Sequence, residues 1–569
     1  MDVSAPDPFP YCRPPELGGN GASHRQVIVV GAGPVGLAMA LDWAQRGHDV
    51  LVLAAGDAKT EGSRAICFAK RTLEICDRLG CGDAIVDKGV SWNVGKVFRG
   101  DGLLYEFNLL PEPGHERPAF VNLQQYYFEQ YQVEALARHH QIDVRWNNRV
   151  TALTRSADRV TVTVTCPDGD YTLACDWLIA CDGAGSPVRK MLGLKSEGQV
   201  FQDRFLIADV KMHGASVARF RSERWFWFDP PFHRNQSALL HKQADDVWRL
   251  DFQLGWQADP ELEKTPARVI PRVRAMLGDD AEFSLEWVSV YTFQCRRMER
   301  FVHGRVIFAG DSAHQVSPFG ARGANSGIQD ADNFGWKLDL IVRGMAPAAL
   351  LESYQAERSQ AADENILNST RSTDFITPKT EASRTIRDAV LELAAKYPFA
   401  RRLVNSGRLS VPAQHVESPL NTADIDNWPG AASAVAPGSP ALDAPLLDGD
   451  HRVWLLRHLG GTFTMVIFSA DGEISGGLLD AMRILPKAPI PVRTLVMTRH
   501  PVSPQGDARW LVDAEGLAFS RYAPQGTAIY LLRPDQYVAG RRASLTAGWI
   551  EDALRRACMI DVPFIEGSR

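Results

Sequence analysis

The chain has 569 residues, too many for one hydrophobic core, and its 45% hydrophobic and 23% charged content is ordinary globular composition, so two or three domains are expected. With 62 Lys and Arg against 68 Asp and Glu the formal net charge is −6 and the two signs are interspersed, which argues against nucleic acid or an anionic membrane as partner. Nine cysteines with no CxxC and no paired Cys/His spacing argue against a metal site and a secreted disulfide framework, so a cytoplasmic setting is expected. Residues 1–25, rich in Pro and Gly, read as a flexible arm rather than a signal peptide. No run of about 18 apolar residues predicts a transmembrane helix.

From Val27 the sequence VIVVGAGPVGLAMALDWAQRGHDVLVLA gives a β-branched strand, Gly31-x-Gly33-x-x-Gly36, an amphipathic helix and a second buried strand, Val50 to Leu53. This is a βαβ unit of the length used for dinucleotides. Gly31 permits the tight turn, Gly33 lets backbone reach a pyrophosphate, Gly36 allows close helix packing, and Pro34 and Val35 open a helix whose N-terminus is partially positive. Where an acid is expected to hold the adenosine ribose stands Ala54, with Asp57 the nearest carboxylate. Gly62 to Gly80 is expected to begin as a turn and continue as a helix, with Arg64 at its head either pairing with a phosphate or solvated. Asn122 to His140 predicts a helix with Gln125 near its start. Val160, Val162 and Val164 alternate with threonines in a half-exposed hairpin that also uses Val144 to Val150.

Trp177 to Leu194 is an apolar strand ending in Asp182-Gly183, with Ser186 and Arg189 leading into a helix; alone it is a strand, a turn and a cap. Between about 195 and 290, Trp225 to Phe232, Ser237 to Gln243 and Val247 to Trp256 read as adjacent antiparallel strands. Arg249, Asp251 and Gln253 share one face, and Trp248, Leu250, Phe252 and Leu254 the other. A polar face of this kind either binds a phenol or carboxylate or is simply solvated. Arg305 to Val342 is again strand, loop and helix: Val306 to Ala309, then Gly310-Asp311, a loop with His314, Pro318 and three glycines, and a helix with Ala331, Phe334, Leu338 and Ile341 on one face. Asp311 can accept hydrogen bonds from sugar-type hydroxyls, Gly320 and Gly323 allow close approach of a flat ligand, and the helix start offers unpaired N–H groups. A helix around Ala348 to Thr370 and a polar linker follow. Alternating strands and helices then run to a helix at Leu545 to Ala557.

The ordered set Gly31 to Gly36, Asp182-Gly183 with Ser186 and Arg189, and Gly310-Asp311 with His314, Pro318 and Asn325 resembles the three fingerprints of the single-component FAD-dependent aromatic hydroxylases, the para-hydroxybenzoate hydroxylase type, over roughly residues 26 to 360. The long C-terminal extension is similar to the 3-(3-hydroxyphenyl)propionate and polyketide hydroxylase branch. The resemblance implies an α/β fold: a Rossmann-type FAD-binding domain in two parts (26–194 and 291–410), an inserted β-sheet substrate domain (195–290), a linker (411–445) and a thioredoxin-like C-terminal domain (446–569). That last domain has no redox pair, Cys558 being the sole cysteine after Cys295, and is expected to serve structure or a homodimer contact.

The same resemblance implies FAD lying extended, with its pyrophosphate over Gly31 to Gly36, Arg64 and Gln125 at its ribose, phosphate and ribityl region, and Gly310 and Asp311 at ribityl and phosphate groups. Gly323, Ala324 and Asn325 would face the flavin pyrimidine end, and Asp182 would link the FAD site to NADH or NADPH, a transient reductant. The loop Gly320-Ala321-Arg322-Gly323 departs from the usual Gly-Gln-Gly. The implied activity is a monooxygenase of aromatic compound catabolism that hydroxylates a phenol with molecular oxygen through a flavin C4a-hydroperoxide. Arg249 is the first candidate beside substrate, with His241, Asp251 and Tyr291 after it; Pro318 would border the site above the flavin. Trp225, Trp227, Phe228 and Phe319 would form the apolar cover that excludes water. Two rivals stand beside it. Trp225 to Pro230 partly mimics the W-x-W-x-I-P signature of flavin-dependent halogenases, with Asp229 in the Ile position, and Ala54 would suit a non-catalytic FAD-fold binding protein.

Overall fold

The computed structural model describes residues 9–19, 21–57, 64–404, 409–544 and 548–560. The chain divides into two compact units, one of Met1–Pro111, Arg117–Gln329 and Ala362–Val411, the other of Glu112–Glu116, Asp330–Ala361 and Pro412–Arg569. In chain order the elements that matter to the site are β1 (Ser23–Val30), α1 (Pro34–Gln45), β2 (Val50–Leu53), β3 (Cys67–Ala69), β4 (Val94–Arg99), β5 (Gly102–Asn108), α2 (Gln125–Leu136) and β6 (Gly169–Ala180). They continue with β7 (Glu197–Met212), β8 (Arg224–Phe228), β9 (Ser237–Lys242), β10 (Val247–Gly255), α3 (Pro266–Leu277), β11 (Phe283–Arg297), β12 (Val306–Phe308), α4 (Gly323–Val342) and α5 (Leu350–Ile376).

The first sheet runs β12-β6-β1-β2 and then Ile142–Arg145, all parallel, with Val30 level with Ala180 and Ala180 level with Phe308. A parallel sheet is covered on both faces, which is why these strands are unbroken apolar runs and why their C-terminal halves are fully buried. Val160, Val162 and Val164 are buried and the threonines between them half-buried, on a strand antiparallel to β6, as the alternation predicts.

The second sheet has eight strands, with β8, β9, β10, β7 and β11 antiparallel to one another in that order. It begins earlier in the chain than the 195–290 expected, because β8 takes β4 as a parallel partner and β5 pairs with β4. At the other edge His314–Gln315 pairs with Arg296 and Arg297 of β11, so the loop after Asp311 is annealed to this sheet. One face carries Leu206, Ala208, Val210, Trp227, Leu240, Trp248, Leu250 and Phe252 and packs with Val269, Val273 and Leu277 of α3. The opposite face carries Asp209, His241, Arg249 and Asp251, flanked by Phe205, Phe228, Leu239 and Phe293, with Phe319 packed among them.

Three local expectations are corrected. The helix expected from Asn122 begins at Gln125, since Gln124 is extended (ψ 138°) and Asn122 closes a strand, Phe120–Asn122, paired with β3. Gly62 lies outside the described residues, and Arg64 does not head a helix: the chain passes through β3 before the helix Lys70–Arg78. Residues 411–445, expected as a linker, are packed. Trp428, Ala432 and Val435 are buried, and Arg541 lies 4.2 Å over the Trp428 ring while binding Asp424 at 2.6 Å.

The second unit is built on a seven-stranded mixed sheet, in which Phe463–Ser469 is parallel to Val492–Thr498 and antiparallel to Thr527–Leu532. Its last helix is Ile550–Ala557; residues 545–547, where the sequence predicts the start, lie outside the described residues. Within this unit sits a fully buried ionic cluster. Glu357 binds Arg533 through both oxygens (2.6 and 2.9 Å), Lys337 at 2.9 Å and the Ser418 hydroxyl at 2.5 Å, and Arg533 also binds Asp535.

Candidate functional site

The three parallel strands β1, β6 and β12 end level with one another, and each is followed by one of the glycine or acid signatures. Gly31 donates to Leu53 O, Cys181 to Val30 O and Ala309 to Ala180 O, at 2.8–3.1 Å, so the crests of adjacent strands are fixed rung by rung. Gly31 sits at φ +108°, and a Cβ there would drive into the Cys181 carbonyl; one on Gly36 would drive into the Gly31 carbonyl. Gly33 caps α1 in extended conformation and has open space where its side chain would be. Pro34 supplies the first turn, and Val35 fills the gap beside Gly310 and Gly327, at either of which a Cβ would meet its methyl groups. Gly31 and Gly36 are demanded by close backbone approach, Gly310 and Gly327 by the Val35 side chain, and Gly33 borders open space at the start of α1.

Asp182 follows β6. Its Oδ2 accepts from Val188 N at 2.9 Å, its Oδ1 is buried with no hydrogen-bond partner, and burial raises its pKa against the opposing effect of Ser186 and that amide. Ser186 and Arg189 play supporting parts: the Ser186 hydroxyl caps Arg189 N, and the Arg189 guanidinium donates to Ser312 O (2.6 Å) and Ala184 O (2.7 Å), tying the second signature to the third. Gln315 donates to Ala184 O and Asp311 O, a second tie between the same loops. Gly310 takes φ +63° in a single turn of 3-10 helix, and the Asp311 side chain that follows is exposed.

The first turn of α4 holds Gly323, Ala324 and Asn325. The Asn325 amide is spent on backbone: Oδ1 accepts from Ala69 N at 2.8 Å, and Nδ2 donates to Cys67 O at 2.8 Å and to Ala321 O at 2.5 Å. It therefore clamps β3 to the helix start. Gln125 acts similarly, accepting from Ala65 N at 3.0 Å and donating to Glu129, which positions the segment carrying the exposed Arg64. Arg322, the departure in the glycine loop, is buried, with its guanidinium beside Gly320 and 3.4 Å from Asn365.

The polar face of the second sheet is adjacent to β3. His241 Nδ1 lies 3.8 Å from Cys67 Sγ and Nε2 lies 3.5 Å from Asp251 Oδ2, too poorly aligned for a hydrogen bond; Asp251 Oδ1 is likewise unpartnered. Burial opposes charge on His241, but Asp251 and Cys67 outweigh it and raise its pKa; the Cys67 thiol is lowered, against burial, by His241, Arg224 and Arg249. Arg249 is engaged by Asp209 through two hydrogen bonds of 2.8 Å, with Gln243 donating to the same carboxylate and the Trp287 ring 5.6 Å away. It is a fixed, compensated charge rather than an open anchor. Phe319, next to the exposed Pro318, packs 5.2 Å from Phe205 and 5.4 Å from Phe293. Tyr291 is aligned with Phe205 on β7, next to this row.

The expected cover is corrected. Trp225 and Trp227 point to the α3 face, whereas Phe226 and Phe228 belong to the polar side, because alternation along β8 sends neighbours to opposite faces. Sequence reasoning missed Cys67, Asp209 and Gln243; their only sequence signal was an alternation whose partner strands were unknown.

The strand-end cradle fits FAD: the start of α1, with open space beside Gly33, suits phosphates, and the buried unpartnered carboxylate oxygen of Asp182 and the exposed carboxylate of Asp311 suit sugar hydroxyls. The FAD binding domain family matches residues 24–369. The chain is 28% identical over 559 residues to the 12-dehydrotetracycline 5-monooxygenase/anhydrotetracycline 6-monooxygenase of Streptomyces rimosus, covering 93% of this chain and 98% of that one. It is also 28% identical over 537 residues to the 3-(3-hydroxy-phenyl)propionate/3-hydroxycinnamic acid hydroxylase of Klebsiella pneumoniae, covering 92% and 93%. In fold it is similar to the flavin-dependent monooxygenase PieE, solved with FAD and substrate, with a TM-score of 0.78, 21% identity and coverage of 94% and 99%. The chain belongs to the FAD binding domain family and is an FAD-dependent monooxygenase of the aromatic hydroxylase type.

Proposed function

We propose that the protein hydroxylates a phenolic ring held between the start of α4 and the polar face of the second sheet, with NADH or NADPH as reductant and molecular oxygen as co-substrate. The observation that carries this reading is the continuous path from the cofactor cradle to that face: Asn325 holds Cys67, and Cys67 meets His241. Bound FAD supplies reduction by the nicotinamide and activation of oxygen for transfer to carbon. The chain would hold it through Gly31, Gly33, Pro34, Val35 and Gly36 at the phosphates, Gly310 and Asp311 at the ribityl chain, and Gly323, Ala324 and Asn325 at the ring end. Arg64, Gln125 and Asp182 complete the set.

The remaining work falls to side chains. His241, its pKa raised by Asp251 and Cys67 against burial, takes the phenol proton and so enriches the ring carbon; Asp251 stabilises the charge that results. Arg249 supplies a fixed positive field without leaving its Asp209 partner. Phe226, Phe228 and Phe319 exclude water. The N-terminus of α4, with Gly323, Ala324 and Asn325, would offer its partial positive charge to the electron-rich ring end of bound FAD. A hydroxyphenylpropionate-like acid is the substrate class we favour. A halogenase is disfavoured, since the relatives that match over nearly the whole chain are monooxygenases and hydroxylases.

For the second unit we propose a thioredoxin-like fold without redox function, used structurally or in a homodimer, in a cytoplasmic protein. Its strand directions support that fold, and no helix among the described residues is long and apolar enough to cross a membrane. The activity is tested by NADH and NADPH oxidation and oxygen uptake across a panel of phenols, with product identification. A hydroxylated product is expected; oxidation that yields peroxide alone with every phenol would overturn the reading.

A further inference from the structure

Four strands of the second sheet carry a lateral row of charged groups. The strand register places His241 opposite Arg249 and Arg249 opposite Asp209, and continuing the β8–β9 ladder one step beyond Trp225 and Leu240 sets Arg224 opposite His241. Alternation along β8 puts Arg224 on the same side as Phe226 and Phe228, the side of the proposed phenol site. The row is thus Arg224, His241, Arg249, Asp209: cations outnumber anions, and the Asp209 carboxylate is spent on Arg249 and Gln243.

Arg224 stands out in this row. Among the described residues its side chain makes no hydrogen bond and no ion pair, its Nη1 is buried without a partner, and the Trp92 ring lies 6.0 Å from the guanidinium carbon. Its neighbour Glu223 is taken by Lys96 at 2.8 Å and by the Trp225 indole, so the nearest carboxylate in sequence is engaged elsewhere. The charge of Arg224 reaches the reacting end, where it favours the Cys67 thiolate and disfavours protonated His241. A partly buried guanidinium left unpaired is costly, and the chemistry that satisfies it is a planar, bidentate anion.

We propose that Arg224 binds the carboxylate of an aromatic acid substrate and thereby sets both its orientation and the preference for acids over neutral phenols. This rests on the phenol-hydroxylase reading and sharpens its substrate class. Arg224 is a substrate-binding residue here, with the Trp92 ring 6.0 Å from its guanidinium carbon and the unpartnered Nη1 as the group the carboxylate satisfies.

The test uses the FAD-loaded full chain and calorimetric titration with 3-(3-hydroxyphenyl)propionate and its neutral amide, on the natural protein and on Arg224→Gln and Arg224→Lys. The acid is expected to bind the natural protein more tightly than the amide, to weaken about 10- to 100-fold in Arg224→Gln and to recover partly in Arg224→Lys, while the amide changes less than about 3-fold. Equal weakening of acid and amide, or no preference for the acid in the natural protein, overturns the assignment. Loss concentrated on the phenol hydroxyl, seen by comparing 3-phenylpropionate, would make Arg224 a phenolate partner and overturn it as well. If the acid binds as expected but no oxygenated product forms, the hydroxylase reading fails and the carboxylate site stands. If neutral phenols are hydroxylated and Arg224→Gln leaves acid binding unmoved, the reverse holds.

Discussion

Two groups of buried charges in this protein have opposite characters. Around Glu357 in the second unit the charges are matched: the cations Arg533 and Lys337 and the neutral donors Asn333 and Ser418 reach that one carboxylate at 2.5–2.9 Å. On the polar face of the first unit Arg249 and Asp209 are matched closely, but His241 stands 3.5 and 3.8 Å from its neighbours, and the Arg224 side chain has no hydrogen bond or ion pair among the described residues. A satisfied network makes a rigid core that specifies a single packing, while an unsatisfied one costs stability and persists where a ligand completes it. The separation between the two is therefore a separation between stability and binding, and it can be broken by substitution.

The largest effect on stability is expected at the matched cluster. Glu357→Gln leaves Arg533 and Lys337 facing one another without their shared anion and should cost about 3–5 kcal/mol, read by urea unfolding. A cost below about 1 kcal/mol would mean the cluster contributes nothing particular. Next comes Gly31→Ala, where both the positive φ and the clash with the Cys181 carbonyl oppose a side chain. A loss of about 2–4 kcal/mol and of bound yellow flavin is expected, and normal flavin content would remove the strand-end cradle as the cofactor site.

Trp227→Phe should cost about 1–2 kcal/mol through lost packing on α3 and leave KM for phenols unchanged, because the residue faces away from the site. A raised KM would reassign the faces of the sheet. The smallest effect on stability and the largest on turnover belong to His241→Asn, with an expected fall in kcat of about 100-fold. The natural protein should show a pH limb that this variant lacks. His241 has its folded pKa raised above its ordinary 6.5, so its contribution to stability is full below pH 6.5 and fades as pH rises through the raised value. Proton uptake needs the neutral ring, so kcat/KM should rise over that same interval. A profile identical to that of His241→Asn would exclude His241 as the base.

The cradle was legible in the sequence because backbone demands it: Gly31 and Gly36 have no substitute where a carbonyl stands against Cα, and the acids at 182 and 311 mark strand ends. The polar face was legible only in part. Alternation separated Arg249 and Asp251 from Trp248 and Leu250, but in Trp225-Phe226-Trp227-Phe228 both faces are aromatic, and composition could not say which pair faces the site. Cys67, Asp209 and Arg224 became visible only with the register of strands far apart in sequence. Asn325, expected to face the flavin, spends its side chain on backbone, which the sequence could not show. The packed course of residues 411–445 was hidden because Pro, Ala and Gly are as frequent in close-fitting turns as in free spacers.

The pairing of β8 with β4 has a consequence for anyone wishing to exchange specificity among relatives. A chimera cut at residues 195 and 290 would import a foreign strand to lie against a native neighbour, leaving Val94–Asn108 mismatched along its whole hydrogen-bonded border. The transferable cassette is discontinuous: it comprises both arms of that early hairpin, β3 with its cysteine, and the later strands together.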